Sequence, residues 1–531
     1  MLLVIDNQDS FVESVLTQQG KRISRERPRD GGGSVKAFVF AIATCAAAGT
    51  AAAQDTTLTI SAPGPTAAEQ IVAETLAHRY IVRHEENNTS LVRDSVFDAT
   101  VVVLNSDATV ASTVHGDVLV MNGDLFLKPG AKIDGKAVSI GGGVHSSRQA
   151  TVGGQKLSFR DAHFDTVRKA TAMELVYRIP PPSEDTTSNN WSPRLFGFRL
   201  PLYDRVDGVA LQWGPRLQLA NEQVVIDPTV TYRSNLGAYD LATAVRATLG
   251  NGFTATATAG RATLTNDGWI QSDVGNTLST VFGGSDFRNY WRADRFEARV
   301  AHEWLFAEGN LELSAGGRTE DDWSVRGGNT WSLSNRRDTL YMRRPNPGVE
   351  RGNLSSALVG AHGSWQREHV ALAAGGDVEV ALDAPNKERF TQTTIYTRAT
   401  FPTFATKLGT QTFVFHTRMV FTAGDTAPPQ RFAYLGGSGT LPTLDILSRG
   451  GDQLVFLEGQ YNFPIQTMQV TSLGSPIISL HEVLGSTGIQ SLGRFDSNIG
   501  ARLTLGFVSG ELSVNPANGD NAFTLGLSMV R

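Results

Sequence analysis

The chain has 531 residues, a formal net charge of −5, 40% hydrophobic residues, 54 glycines and one cysteine. That length allows two or more domains, and the near-neutral charge lacks the global basic field with which nucleic-acid binders attract phosphates, so DNA and RNA are not expected partners. No pair of cysteines or histidines has metal-ligand spacing, and no metal or cofactor is expected.

The opening stretch MLLVIDNQDSF, Met1 to Phe11, resembles the first strand and turn of the glutamine amidotransferase subunit that supplies ammonia to anthranilate or aminodeoxychorismate synthesis. That resemblance implies a cysteine nucleophile in a Gly-x-Cys-x-Gly turn with a histidine base. Cys45 lies instead in FVFAIATCAAAG, without such a turn. His84 and Glu86 in RHEENN form a triplet that arises easily by chance in a polar stretch. No glutaminase, and no enzyme, is expected.

The stretch GKRISRERPRDGGGSVKAFVFAIATCAAAGTAAAQD carries a basic region, an apolar run and an Ala-x-Ala site ending at Ala53. This pattern reads as a secretory signal over 35–53, with the mature chain starting at Gln54. Residues 1–34 are then an extension created by a misplaced start, with Val35 as the true one. Lipid attachment at Cys45 is the alternative, although Thr44 stands where a lipobox has a small residue. No later run of 18 or more apolar residues offers a spanning helix, which leaves a soluble periplasmic protein or an outer-membrane barrel.

Residues 54–91 are expected to be a helical segment. Ile71, Val72, Leu76, Tyr80 and Ile81 fall at mostly helical spacing, and Thr66 is a fitting N-cap. Residues 92–160 contain a repeat. HGDVLVM, DGKAVSI and GGQKLSF align Gly116, Gly135 and Gly154, then Leu119, Val138 and Leu157, then Met121, Ile140 and Phe159. Such a period predicts coils of a β-solenoid whose alternate apolar side chains fill a shared interior and whose glycines turn the corners. This segment resembles the polymer-forming domain of bactofilin-like proteins, which implies a small β-helix; a generic β-rich domain is the other reading. Residues 161–193 include Pro180, Pro181 and Pro182 among Ser, Thr and Asn, and are expected to form a linker.

From 194 to 531 the texture changes to long segments of period two. In IGARLTLGF, Ile499, Ala501, Leu503, Leu505 and Phe507 face one way and Gly500, Arg502, Thr504 and Gly506 the other. VALAAGGDVEVAL sets Val370, Leu372, Ala374, Val378 and Val380 against Asp377 and Glu379, and LVFLEGQYNF sets Val455, Leu457, Tyr461 and Phe463 against Glu458, Gln460 and Asn462. FTLGLSM sets Phe523, Leu525, Leu527 and Met529 against Thr524, Gly526 and Ser528. Segments of about nine to twelve residues have the length of tilted bilayer-crossing strands. About 14–16 of them predict an all-β chain ending in a transmembrane antiparallel β-barrel. Trp213, Tyr239, Phe253, Tyr461 and Phe507 lie near segment ends, where an interfacial girdle would need them.

RFAYLGGSGTLPTLDILSRGGDQLVFLEGQYNFPI, Arg431 to Ile465, resembles the segment of the bacterial surface antigen superfamily, the BamA and TamA barrels, in which a Gly-Gly strand leads to an inward loop and a strand ending in Phe-Pro. FGGSDFRNYWRADRFEARVAHEW, Phe282 to Trp304, resembles a connection in smaller relatives. The resemblance implies envelope assembly or translocation of protein or lipid, with a lateral seam between first and last strands and no catalysis. Passive conduction and structural anchoring through the solenoid stay open.

The superfamily's inward loop carries an arginine that meets an acid on the following strand. Here Gly436 and Gly437 are followed by Leu441, Pro442, Thr443 and Leu444, and Gln460 stands at the acid's place. Loss of both partners is coherent, because a buried carboxylate without its cation is costly. Inward folding of the loop stays open, with Arg449 as a candidate substitute. Arg336, Arg337, Arg343 and Arg344 in NRRDTLYMRRPNPGVER are a candidate anion-binding loop or a solvated external one. Outer-membrane lipid and envelope proteins at a periplasmic solenoid are the expected partners. Residues 54–190 show a glycine-cornered repeat where insertases of that superfamily carry POTRA modules, so insertion of other barrels is not expected.

Overall fold

The computed structural model describes residues 57–60, 64, 66–83, 89–92, 95–160, 162–168, 172–178, 197–219, 223–328, 330–334, 341–367, 370–470, 473–506 and 508–527. The stretches expected to be a signal (35–53) and an extension (1–34), together with Cys45, His84, Glu86, the triple proline, Arg336, Arg337, Phe507 and Met529, lie outside the described residues.

The helix spans Ala67–Leu76. Thr66 caps it: its hydroxyl accepts the Glu69 N–H at 3.2 Å, and the Glu69 carboxylate accepts the Thr66 N–H at 3.3 Å. This reciprocal pair satisfies two donors that the first turn leaves bare. Tyr80 and Ile81, counted into the helical pattern, instead open the strand Tyr80–Arg83, which pairs in parallel with Thr100–Val103. The β-branched pair Ile81–Val82 suits a strand, and the free edge of the next coil supplies the hydrogen bonds.

The solenoid has three stacked parallel faces of five, four and four strands. Leu119, Val138 and Leu157 superpose in register, as do Met121, Ile140 and Phe159. The glycines close the corner by close approach: a Cβ on Gly116 would stand 2.6 Å from the Thr100 nitrogen, and one on Gly135 2.8 Å from the Gly116 oxygen. Aspartates tie coil to coil, with Asp107 accepting the Asp124 N–H at 2.8 Å and Asp124 accepting the Gly143 N–H at 2.6 Å.

The repeated side chains do not fill the shared interior. Val101, Val103, Val118, Val120 and Ala137 do so, together with Leu125 and Ile133. Leu119, Met121, Val138, Ile140, Leu157 and Phe159 face outward, under the helix and a three-stranded sheet of Thr57–Ile60, Ala172–Arg178 and His163–Arg168. Both sides of this face are therefore buried, and all four residues of Val118–Met121 are fully enclosed. The two strands within 163–178 also belong to this layer rather than to a linker.

Among the described residues of the remainder, 17 strands form one antiparallel sheet in chain order, apart from the small pair Ala433–Leu435 and Arg449–Gly451. Gly208–Trp213 and Leu217–Leu219 both pair with Val224–Arg233, so they are two halves of one broken stave, leaving sixteen. The sheet is barrel-like: it curls so tightly that Arg299 on Trp291–Phe306 reaches Asp377 on Val370–Asp383, three strands further on, at 3.0 Å. Alternation sorts the wall as expected. Ile499, Leu503 and Leu525 are 51%, 53% and 75% exposed on the outside, whereas Thr504, Glu511 and Ser513 are buried inside. The central strands are longer than expected, at 14 to 17 residues.

The two ends differ. One has tight turns such as Asn251–Gly252 and Ala307–Glu308, with Phe253, Trp304, Phe306, Trp365 and Phe404 exposed around it. The other carries the long connections 265–290, 325–351 and 425–452. The solenoid meets the tight-turn end, where Gln466 accepts the Ala68 N–H at 3.3 Å and Gln469 accepts the Ser158 N–H at 3.0 Å.

Candidate functional site: the plugged lumen

Connection 425–452 folds into the lumen, and Arg431 fixes it there. This arginine sits on the short turn Pro429–Arg431 and is 4% exposed. Its Nε donates to both Glu379 oxygens at 3.0 and 3.2 Å, and its Nη2 donates to Glu320. The alternation of the wall strands aims both carboxylates inward. Arg295 holds Glu320 at 2.6 Å, and Ser356 donates to Glu379 at 2.7 Å. Burial opposes the charge on Arg431, and Glu320 and Glu379 more than restore it, leaving the guanidinium harder to deprotonate than usual.

Beside it, Gln430 donates to Asp322 at 3.1 Å and to the Glu350 carbonyl at 3.1 Å, joining this connection to 325–351. The inward arginine of this connection is Arg431, five residues ahead of Gly436. The expectation looked for it after the glycines, and only the path of the chain shows the earlier position reaching the lumen.

Gly436 and Gly437 have φ of 126° and 84°, and a Cβ on Gly436 would lie 2.1 Å from the Asp445 oxygen. This tight reversal requires glycine. It turns Leu435 and Leu441 onto Leu454, Phe456 and Val483 of the wall, with Leu444 packed beside them. Pro442 is buried in the same bend. Thr443 and Asn498 bond reciprocally, at 3.1 Å from the Thr443 N–H and 2.8 Å to its hydroxyl. The stretch without an arginine therefore plugs the lumen by apolar contact.

Arg449 does not substitute for the missing cation: its side chain is 58% exposed, 3.7 Å from Asp496, and it extends the strand Arg449–Gly451 beside Ala433–Leu435. Gln460 faces the lumen away from this loop, bonded to Asn462 at 2.6 Å and accepting from Arg502 at 3.2 Å.

The basic stretch is not one anion-binding face among the described residues. Arg343 is exposed, but Arg344 turns inside and donates to the carbonyls of Asp286 and Arg288 at 2.9 and 2.6 Å. Arg205, fully buried, donates to the carbonyls of Arg344 and Arg288 at 2.8 and 3.0 Å, and its backbone N–H meets Asp286 at 2.9 Å. Burial, with Arg205 alongside, draws the Arg344 pKa down to about 10. Asp267 closes this cap by accepting the Asn289 N–H at 2.7 Å, and burial pushes its carboxyl up to about 7. The long connections therefore interlock over the long-turn end of the sheet. Nothing in the sequence marked Arg205; its signal is burial.

Among the described residues no group of three His, Cys, Asp or Glu side chains is placed to hold a metal ion. Nor do the first strand, Leu202–Asp204, and the last, Asn521–Leu527, hydrogen-bond to each other there.

The class defined is a plugged, barrel-like sheet with a β-solenoid at its tight-turn end. No family model matches the chain. No curated protein matches it. Solved structures of similar architecture include BamA from Haemophilus ducreyi lacking POTRA domains 1–3, at 10% identity and a TM-score of 0.42, covering 68% of this chain and 74% of that one. CdiB from Escherichia coli has 10% identity, a TM-score of 0.38 and coverage of 68% and 66%. CdiB from Acinetobacter baumannii has 9% identity, a TM-score of 0.36 and coverage of 69% and 66%. No residue role follows from these likenesses.

Proposed function

We propose that the chain is a non-enzymatic outer-membrane β-barrel that assists envelope assembly or the translocation of protein or lipid, with its solenoid on the periplasmic side. One observation carries the reading: the inward connection is locked by Arg431 between Glu320 and Glu379, inside a sheet whose end strands share no hydrogen bonds among the described residues. Unpaired strand edges are templates for strand addition by a client chain. The apolar outer wall supplies the lipid contact.

A passive pore calls for an open lumen, which the plug opposes. Anchoring by head-to-tail stacking of solenoids calls for a free last coil, and Gln469 occupies the Ser158 N–H there.

The test has two parts. Chain expressed from Val35 should fractionate with the outer membrane and show a heat-dependent shift in gel mobility. In planar bilayers it should give only small, irregular conductance, and deleting its gene should alter the outer-membrane protein or lipid complement. A steady ohmic channel with an unaltered envelope would refute the proposal in favour of the pore.

A further inference from the structure

The inward arginines of the wall fall into two groups. Arg295 is held by Glu320 at 2.6 Å, Arg299 by Glu297 at 2.8 Å, and Arg502 by Glu511 at 2.7 Å. Arg398 and Arg418 have no hydrogen-bond or ion-pair partner among the described residues, and both Nε atoms are buried and bare. They lie on the adjacent strands Phe390–Thr406 and Gly409–Gly424, where Arg398 stands opposite His416 and Arg418 opposite Tyr396. Diagonal neighbours of this kind have Cα atoms roughly 7–8 Å apart, close enough for two long side chains to converge.

Their surroundings suit an anion. Trp269, from connection 265–290, covers the Arg418 guanidinium at 5.8 Å. Val420, two residues along from Arg418, packs against the plug, so the pair lies just on the solenoid side of it. The acids nearby are engaged elsewhere: Glu458 with His416 at 3.7 Å, and Asp377 with Arg299 at 3.0 Å and His362 at 3.4 Å. Asp377 and, more weakly, Asp267 act on Arg418 through space, but neither lies within ion-pair distance of it, so a bound oxyanion would give the guanidinium groups a direct partner.

We propose that Arg398 and Arg418 form an oxyanion-binding site in the lumen, which grips a phosphate or carboxylate group with two guanidinium forks beneath Trp269. Guanidinium geometry matches both groups through paired N–H donors.

Titration calorimetry of the full chain in detergent, with inorganic phosphate and separately with acetate, tests this. The expected result is saturable binding at one site. It should weaken by about tenfold or more in R398Q/R418Q and by less in R398K/R418K, which keeps the charges but loses the forks. R502Q should bind as the parent does. A preference for phosphate assigns the phosphoryl source, and equal or stronger acetate binding assigns the carboxylate. Absence of saturable binding of either anion by the parent protein, or full binding by a folded R398Q/R418Q, overturns the site. The heat-dependent band shift reports the barrel and the titration reports the site, so failure of one is distinguishable from failure of the other.

Discussion

Replacing Arg431 by alanine removes the cation that Glu320 and Glu379 share at the centre of the plug. Both carboxylates stay almost fully buried, at 1% and 9% exposure, with only Arg295, Arg318 and Ser356 left to satisfy them. A unit charge pair at about 3 Å interacts by roughly 5 kcal/mol at an effective dielectric near 20. Breaking one side of a buried pair costs about 3–5 kcal/mol in practice, because the remaining charges are stranded. R431A should therefore release connection 425–452 from the wall, lowering the temperature of the heat-dependent band shift by roughly 5–10 °C.

Bilayer conductance should rise in the same variant as the lumen opens. R431M combined with E379Q should recover part of the loss, since it removes a stranded charge together with its partner. If R431A keeps both the parent's transition temperature and its conductance, the view that this arginine holds the plug is wrong.

Gly135→Val places a side chain against Asp117 and the Gly116 backbone; destabilisation of the solenoid by about 1–3 kcal/mol is expected, read as earlier loss of the β-sheet circular dichroism signal. Thr66→Ala dissolves the capping box and should cost about 1 kcal/mol, seen as faster amide exchange along Ala67–Leu76. Asp267 has a folded pKa of about 7 against 3.8 when unfolded, so ionising it is costly in the folded state. Its cost is absent below the unfolded value and grows as pH rises toward 7. D267N should accordingly gain stability over the parent at pH 8 and match it near pH 4 in thermal unfolding; a gain that is the same at both would refute the assignment. The double variant Q466A/Q469A should loosen the solenoid from the tight-turn end and speed proteolytic cleavage between the two parts, with the barrel's band shift unchanged.

Much of the architecture was legible in one dimension because it is periodic. A period of two with Ile499, Leu503 and Leu525 on one side makes a wall with one apolar face, whatever its neighbours are. A nineteen-residue period with glycine at each corner likewise announces stacked coils at Gly116, Gly135 and Gly154. The earlier coils escaped notice because Val101 and Val118, though paired, stand seventeen apart.

What escaped was what depends on partners distant in the chain. The outward placement of Leu119 and Val138 needs a helix and a sheet drawn from both flanks of the solenoid, and no local pattern distinguishes which side of a doubly buried strand is interior. Arg431, Glu320 and Glu379 are scattered over more than a hundred residues, and a motif search after Gly436 passes over a residue that precedes it. Arg344 reads as one more surface cation until Arg205 and Asp286 enclose it. Composition and period determined that this chain would build a solenoid and a long-stranded wall. Only the three-dimensional path decided which charges meet inside that wall, because desolvation and ion pairing act through space, between residues that the sequence keeps apart.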